Sequence, residues 1–218
     1  LSILKSKGIS ADVAEKIWEN SSEEYFLKES PEDIAWHTEL ASHHKNPEDP
    51  IVIIRPYIAN RRERATMILL RMKASQSIFA AVATAIDQAG LNIQDARIYD
   101  NGETTLSCFY ILDEAALPLG KDSERIDRLE KAIREELEVI DNYHEVIGAR
   151  TKRRLRQFPV PTKATLSETR TYTQLEVVTA DRPGLLAVIG QIFVELDINL
   201  HSARITTLGE RVEDIFII

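Results

Sequence analysis

The sequence predicts an α+β protein in which one sheet-and-helix unit occurs twice behind a short helical segment. Two observations carry this. Along residues 51–218, strand-like apolar runs alternate with stretches of helical spacing. A constant shift of 107 residues then lays the second half on the first: Ala80 on Ala187, Asn92 on Asn199, Ala96-Arg97-Ile98 on Ala203-Arg204-Ile205, Gly102-Glu103 on Gly209-Glu210, Phe109 on Phe216 and Ile111 on Ile218. No gap is needed across helix, strand, turn and strand, and self-similarity at a fixed spacing marks a duplicated structural unit.

Composition bounds the rest. The 218 residues are 44% hydrophobic and 28% charged, enough apolar matter for packed cores in a soluble chain. A net charge of −8 opposes a general nucleic-acid binder, which needs a basic surface. The single cysteine, Cys108, excludes an intrachain disulfide and suits buried packing better than reactivity. No apolar run approaches the roughly 20 residues of a membrane span. Ile51-Val52-Ile53-Ile54 is halted by Arg55-Pro56, and no signal peptide is evident, so a cytoplasmic location is expected. Leu1, rather than a methionine, suggests a cut through a longer chain.

The elements follow in order. Residues 10–44 read as helices; Ser30-Pro31-Glu32-Asp33 supplies an N-cap serine, a first-turn proline and acids, with Ile34, Leu40 and Ala41 as the apolar face. Lys45 to Pro50 is a polar, proline-bounded break. Strands are expected at 51–58, 66–72, 93–99 and 104–112, and helices at 77–89 and 123–142. Gly90 closes the first of those helices, and Asn101-Gly102 turns a hairpin by supplying positive φ. Residues 155–160 would make a last edge strand. Strand, helix, strand, strand, helix, strand is the ferredoxin-like layout. It restarts with a strand at 172–179, a helix carrying Leu185, Ile189 and Phe193, and a hairpin over 198–206 and 211–218. The domains expected are a helical linker segment at 1–50, a first module with a leading strand at 51–163, and a second, truncated strand–helix–strand–strand module at 164–218. Where the second module lacks its later helix, an apolar sheet face should lie open.

Chemistry concentrates at Asp181-Arg182-Pro183-Gly184-Leu185-Leu186. Pro183 suits a first helical turn and Gly184 lets a ligand approach the backbone closely. The free N–H groups of a helix start attract a carboxylate. Asp181 offers an acceptor for an ammonium group, and Asn199 both donates and accepts. A free amino acid carries both matching charges. The competing reading is an ordinary strand–helix connection with no ligand.

The stretch Ala180 to Leu186, followed by Ile198 to Ile205, resembles the ACT domain, a small-molecule sensing module. The run Ala203 to Ile218 resembles the C-terminal end of the bacterial bifunctional enzymes that add uridylyl groups to PII nitrogen-signalling proteins and remove them. Tyr25-Phe26, Ser30-Pro31 and Ala35-Trp36-His37 resemble the segment ahead of that family's first ACT domain, and Asn92 to Ile98 resembles the matching strand inside it. The resemblance implies a tandem ACT region that senses glutamine and switches the enzyme between its two activities. It places the ligand at Asp181, Gly184, Leu185, Asn199 and Leu200, with Asn92 and Ile93 in the first module. There Lys73-Ala74-Ser75-Gln76 stands in place of the Asp-Arg-Pro-Gly loop. No catalytic residue, metal or cofactor is expected in this region; the whole enzyme of that kind would need Mg²⁺ or Mn²⁺.

His37 and His44 share a helix face seven residues apart, but a metal site would need further ligands, and solvated or capping histidines are expected. Lys152-Arg153-Arg154 and Arg156 suit a solvated strand edge or an acidic partner. Arg97 and Arg204, equivalent in the repeat, would bridge acids or line a crevice between modules. Two further functions compete with sensing: a ligand-free pairing module, and an RNA-binding sheet using Phe109 and Tyr110.

Overall fold

The computed structural model describes residues 2–19, 21–44, 46–59, 62–140, 162–169, 171–180, 184–208 and 211–218. The expected edge strand at 155–160, the basic cluster of Lys152 to Arg156, and Asp181 lie outside them. The chain divides into two compact units.

The first unit holds α1 (Ser2–Ser6), α2 (Ala11–Trp18), α3 (Glu23–Lys28) and α4 (Pro31–His43), with Leu70–Ala74 and Tyr99–Leu106. Serines start three of these helices: Ser10, Ser22 and Ser30 accept the N–H groups of Val13, Tyr25 and Asp33. Each satisfies a donor that the first helical turn leaves open. A small core of Leu4, Ile9, Ala14 and Ala35 gathers Ile3 and Trp18 around it.

α4 departs from the expected apolar face. It buries Ala35, His37 and Thr38, while Ile34, Leu40 and Ala41 are only half-buried. The polar pair tolerates burial because it is hydrogen-bonded. The Trp18 indole N–H donates to Thr38 Oγ1 over 2.9 Å, Thr38 donates to the Ile34 carbonyl, and Tyr25 Oη lies 3.2 Å from His37 Nδ1.

The second unit contains most of the sheet. Its elements are β1 (Ile51–Ala59), β2 (Arg62–Lys73), α5 (Ile78–Gln88), β3 (Leu91–Asp100), β4 (Thr104–Asp113), α6 (Ser123–Glu138), β5 (Lys163–Glu168), β6 (Thr173–Ala180), α7 (Leu185–Glu195), β7 (Ser202–Arg204), β8 (Thr207–Leu208) and β9 (Arg211–Ile217). One end of β2, β3 and β4 falls in the first unit. α5 and α7 start and stop 107 residues apart, as the repeat requires.

The sheet runs β1-β2-β4-β3-β7-β9-β6-β5, with β8 beside β9. The order is a palindrome: each module contributes an edge strand, its first strand, its third and its second, and the two second strands meet in the middle. β1 and β5, which precede their modules in the chain, hold the edge positions beside β2 and β6.

β3 and β7 pair antiparallel with Asp95 opposite Arg204, Ala96 opposite Ala203 and Arg97 opposite Ser202. Ala96 and Ala203 are equivalent in the repeat, so a local two-fold axis passes between them. Both are buried, at 0% and 1% exposure. The same register places Leu166, Leu175, Phe216 and Ala203 on one face of the sheet. Phe79 of α5 stacks on Phe109 and meets Phe216 edge-on, and Phe193 of α7 also meets Phe216 edge-on, so this is the helix-covered face. Its outer part in the second module is open at the edge strand β5, where Leu166 is 65% exposed.

β7 is shorter than the expected strand at 198–206. The chain first completes the end of α7, where the Ile198 N–H reaches the Phe193 carbonyl and Asp197 adopts a left-handed φ of 57°. Gly90, the repeat equivalent, takes φ 67° at the end of α5.

α5 and α7 approach through small residues. A Cβ added to Gly190 would lie 2.9 Å from the Ala80 Cα and 2.9 Å from Phe79 Cδ1. Backbone cannot yield as a side-chain tip can, so Gly190→Val should destabilise the second unit by about 1–3 kcal/mol. Urea unfolding monitored by circular dichroism measures this; an unchanged midpoint would contradict the close approach.

Candidate functional site

A cleft of about 200 Å³ lies in the second unit, where the start of α7 faces the start of β3. Gly184, Leu185, Leu186 and Ala187 form one wall, and Leu91, Asn92 and Ile93 the opposite one. Asp87 of α5, Glu114 beyond β4, and Ile205 complete the rim.

Gly184 is the N-cap of α7, with φ 73° and ψ 10° and no side-chain cap. A left-handed backbone costs most residues about 1–2 kcal/mol, so glycine is the residue that holds this turn without strain. The first helical bond runs from the Val188 N–H to the Gly184 carbonyl. The N–H groups of Leu185, Leu186 and Ala187 precede that bond and have no acceptor among the described residues. They point along the positive end of the helix dipole, a ready position for an anionic oxygen.

The acidic side of the cleft is built by the turn after β4. The Asp113 carboxylate accepts the N–H groups of Ala115 and Leu117, each over 2.9 Å, and Arg125 stands 3.6 Å away. These interactions fix the turn that carries Glu114. The backbone bond from Leu117 does most to hold the Asp113 carboxyl below the usual aspartate range; the Ala115 bond and Arg125 act in the same direction, against a smaller cost of desolvation. Glu114 Oε1 lies 3.6 Å from where a Cβ on Gly90 would sit, so the glycine keeps that corner open.

Of the expected ligand residues, Gly184 and Leu185 meet Asn92 and Ile93 here. Asn199 is exposed ahead of β7, Leu200 is half-buried, and neither lines the cleft. The two-fold axis explains the separation. It sets the start of α7 against the second strand of the other module, so Asn92 and Ile93, rather than Asn199 and Leu200, face Gly184 and Leu185. At the start of α5, Ser77, with φ −79°, replaces the left-handed glycine. Glu114 and Asp87 were missed because nothing in a single module's motif points to them; the end of α5 and the turn after β4 bring them to the rim.

The other singled-out residues resolve individually. His37 is buried beside Tyr25, and His44 caps α4 and contacts Arg71, so the first is not solvated as expected. Among the described residues no cluster of three metal-ligating side chains occurs. Cys108 is buried. Arg97 pairs with Asp95 at 3.0 Å and lies over the Tyr110 ring at 4.9 Å.

Comparison with known proteins adds the family context. Residues 1–40 match the profile of the uridylyltransferase GlnD fifth domain. The bifunctional uridylyltransferase/uridylyl-removing enzyme of Stutzerimonas stutzeri is 36% identical over 97% of this chain and 24% of its own length. That of Pseudomonas aeruginosa is 37% identical over 99% and 24%, and that of Azotobacter vinelandii 36% over 100% and 25%. Over its full length the chain matches one region of this enzyme family. It spans about a quarter of the length of these relatives. No solved structure matches it significantly. Among the described residues, no helix is long and apolar enough to cross a membrane.

The Asp113 turn has a defined pH dependence. Its folded pKa is lowered, so its contribution is present above the unfolded aspartate pKa and is lost as pH falls through the folded value. The Asp113 carboxyl carbon, followed by NMR, should titrate below an ordinary aspartate, and Asp113→Asn should speed hydrogen exchange at Ala115 and Leu117. An ordinary titration would contradict the assigned bonds.

Proposed function

We propose that this region is the amino-acid sensor of a bifunctional uridylyltransferase/uridylyl-removing enzyme, binding free glutamine in the cleft between α7 and β3. The observation that supports the reading best is the meeting of Gly184 and Leu185 with Asn92 and Ile93 across the two-fold axis. The uncapped α7 start suits the ligand carboxylate, Glu114 and Asp87 suit the ammonium group, and the Asn92 amide can both donate to and accept from a side-chain amide.

Sensing requires that glutamine bind one arrangement of the enzyme more tightly than another, since equal affinity for both shifts nothing. The output is the balance between adding uridylyl groups to a PII signalling protein and removing them, with the chemistry and its Mg²⁺ or Mn²⁺ residing elsewhere in the longer enzyme. The nucleic-acid reading loses its footing because Phe109 and Tyr110 are buried, at 0% and 5% exposure, and offer no platform for stacking bases.

Isothermal titration of the whole chain with glutamine tests the proposal. Asn92→Ala should weaken binding at least tenfold, about 1.4 kcal/mol, while Asn199→Ala leaves it nearly unchanged. Absence of binding at about 10 mM glutamine would leave the repeat as a ligand-free pairing module. Equal losses in the two variants would move the site.

A further inference from the structure

The first unit encloses a second cavity, of about 440 Å³, lined by side chains that the sensing role does not use. Trp18, Tyr25 and Tyr99 form much of its wall. Their polar tips are engaged by protein: the Trp18 N–H by Thr38, the Tyr25 hydroxyl with His37, and the Tyr99 hydroxyl by Glu29 at 2.7 Å. These rings therefore offer the cavity mainly apolar surface.

Arg71 is the half-buried charge in this lining. Its Nη1 lies 2.5 Å from His44 Nδ1 and its Nη2 lies 3.4 Å from Thr104 Oγ1. His44 Nε2 is 2.6 Å from the Asp49 carbonyl oxygen, which can only accept, so Nε2 carries the ring proton. Nδ1 is then the acceptor for Arg71, and the ring is neutral. Both partners of the guanidinium are thus uncharged, and it makes no ion pair among the described residues. Burial lowers its pKa from the ordinary arginine value, a sign of lost hydration. A guanidinium has five N–H donors in a planar fork, so these two neutral bonds leave donors for a planar anion.

The acids around the cavity do not supply that anion. Glu19, Asp100 and Glu103 are exposed, as is Lys16, and solvent screens them. Asp100 Oδ1 is occupied by the Gly102 N–H at 2.6 Å. The volume lies in the range of small-molecule pockets and exceeds the needs of a bare inorganic anion.

We propose that this cavity binds a small organic anion with a flat apolar body, its carboxylate or phosphate on Arg71 and its body against Trp18, Tyr25 and Tyr99. Because the lining comes from α2, α3, α4, the end of β2 that carries Arg71 and the β3–β4 hairpin, occupancy stabilises the first unit by mass action, independently of any ligand at the α7 cleft.

The test is titration of the full chain with phenyl phosphate, benzoate and inorganic phosphate, read by calorimetry and by tryptophan fluorescence, since Trp18 lines the cavity. At least one aryl anion should bind, at least about tenfold more tightly than inorganic phosphate. Preference between the two aryl probes identifies the anionic group. Arg71→Gln should weaken that binding by at least about tenfold. Arg71→Lys keeps the charge but loses the fork and should weaken it severalfold; it carries the test if the glutamine variant does not fold. Failure of both aryl anions to bind at about 10 mM, affinity surviving Arg71→Gln, or Arg71→Lys binding as the native chain would overturn the proposal and leave Arg71 as a strut between His44 and Thr104.

Discussion

The antiparallel pairing of β3 with β7 is the interaction on which the second unit depends. A ferredoxin-like module ends at its second strand with an open row of backbone donors and acceptors. Joining the two edges removes that liability and fuses two four-stranded sheets into one. The register makes the joint symmetric, because Ala96 lies opposite Ala203 and no residue between them tips the balance toward either module. Above the joint, Gly190 and Ala80 let α5 and α7 draw together, and Phe79 reaches both Phe109 and Phe216. Small residues at the axis and aromatic rings beside it thus act together: the first set permits close approach, the second fills the volume that remains.

That symmetry also decides which residues line the cleft. Two modules related by a two-fold axis place each helix start across from the partner module's second strand. The cleft is therefore not built within one module: Gly184 shares it with Asn92 rather than with Asn199. Nor are the two ends equivalent. Neither helix start has a side-chain cap, but Gly184 begins α7 in a left-handed conformation whereas Ser77 begins α5 in a right-handed one. One duplicated framework thereby carries two helix starts of different backbone conformation.

Much of the fold was legible because local signals and the repeat agreed. Ser30 marks a helix start, Asn101-Gly102 marks a hairpin, and the 107-residue shift carries α5 onto α7 residue for residue. Polar burial was less legible. His37 and Thr38 break the apolar pattern of α4, and only their hydrogen-bond partners explain why they lie inside. β7 was overestimated: only Ser202–Arg204 of the expected 198–206 is strand, although Asp197 ends α7 with the same left-handed turn that Gly90 makes ahead of β3. Of the cleft lining, Gly184, Leu185, Asn92 and Ile93 were expected from the motifs, whereas Glu114 and Asp87 come from the turn after β4 and the end of α5, which no motif marks.

Cross-strand NMR contacts between β3 and β7 test the central claim most directly. The Ile98 N–H bonds to the His201 carbonyl and the Ile205 N–H to the Gln94 carbonyl, so the pairs Asp95–Arg204 and Arg97–Ser202 stand at the non-hydrogen-bonded positions, where backbone Hα atoms come closest. Strong Hα–Hα contacts within both pairs are the result this account requires. Contacts displaced by even one residue, or none between the two strands, would break the two-fold relation and with it the shared cleft.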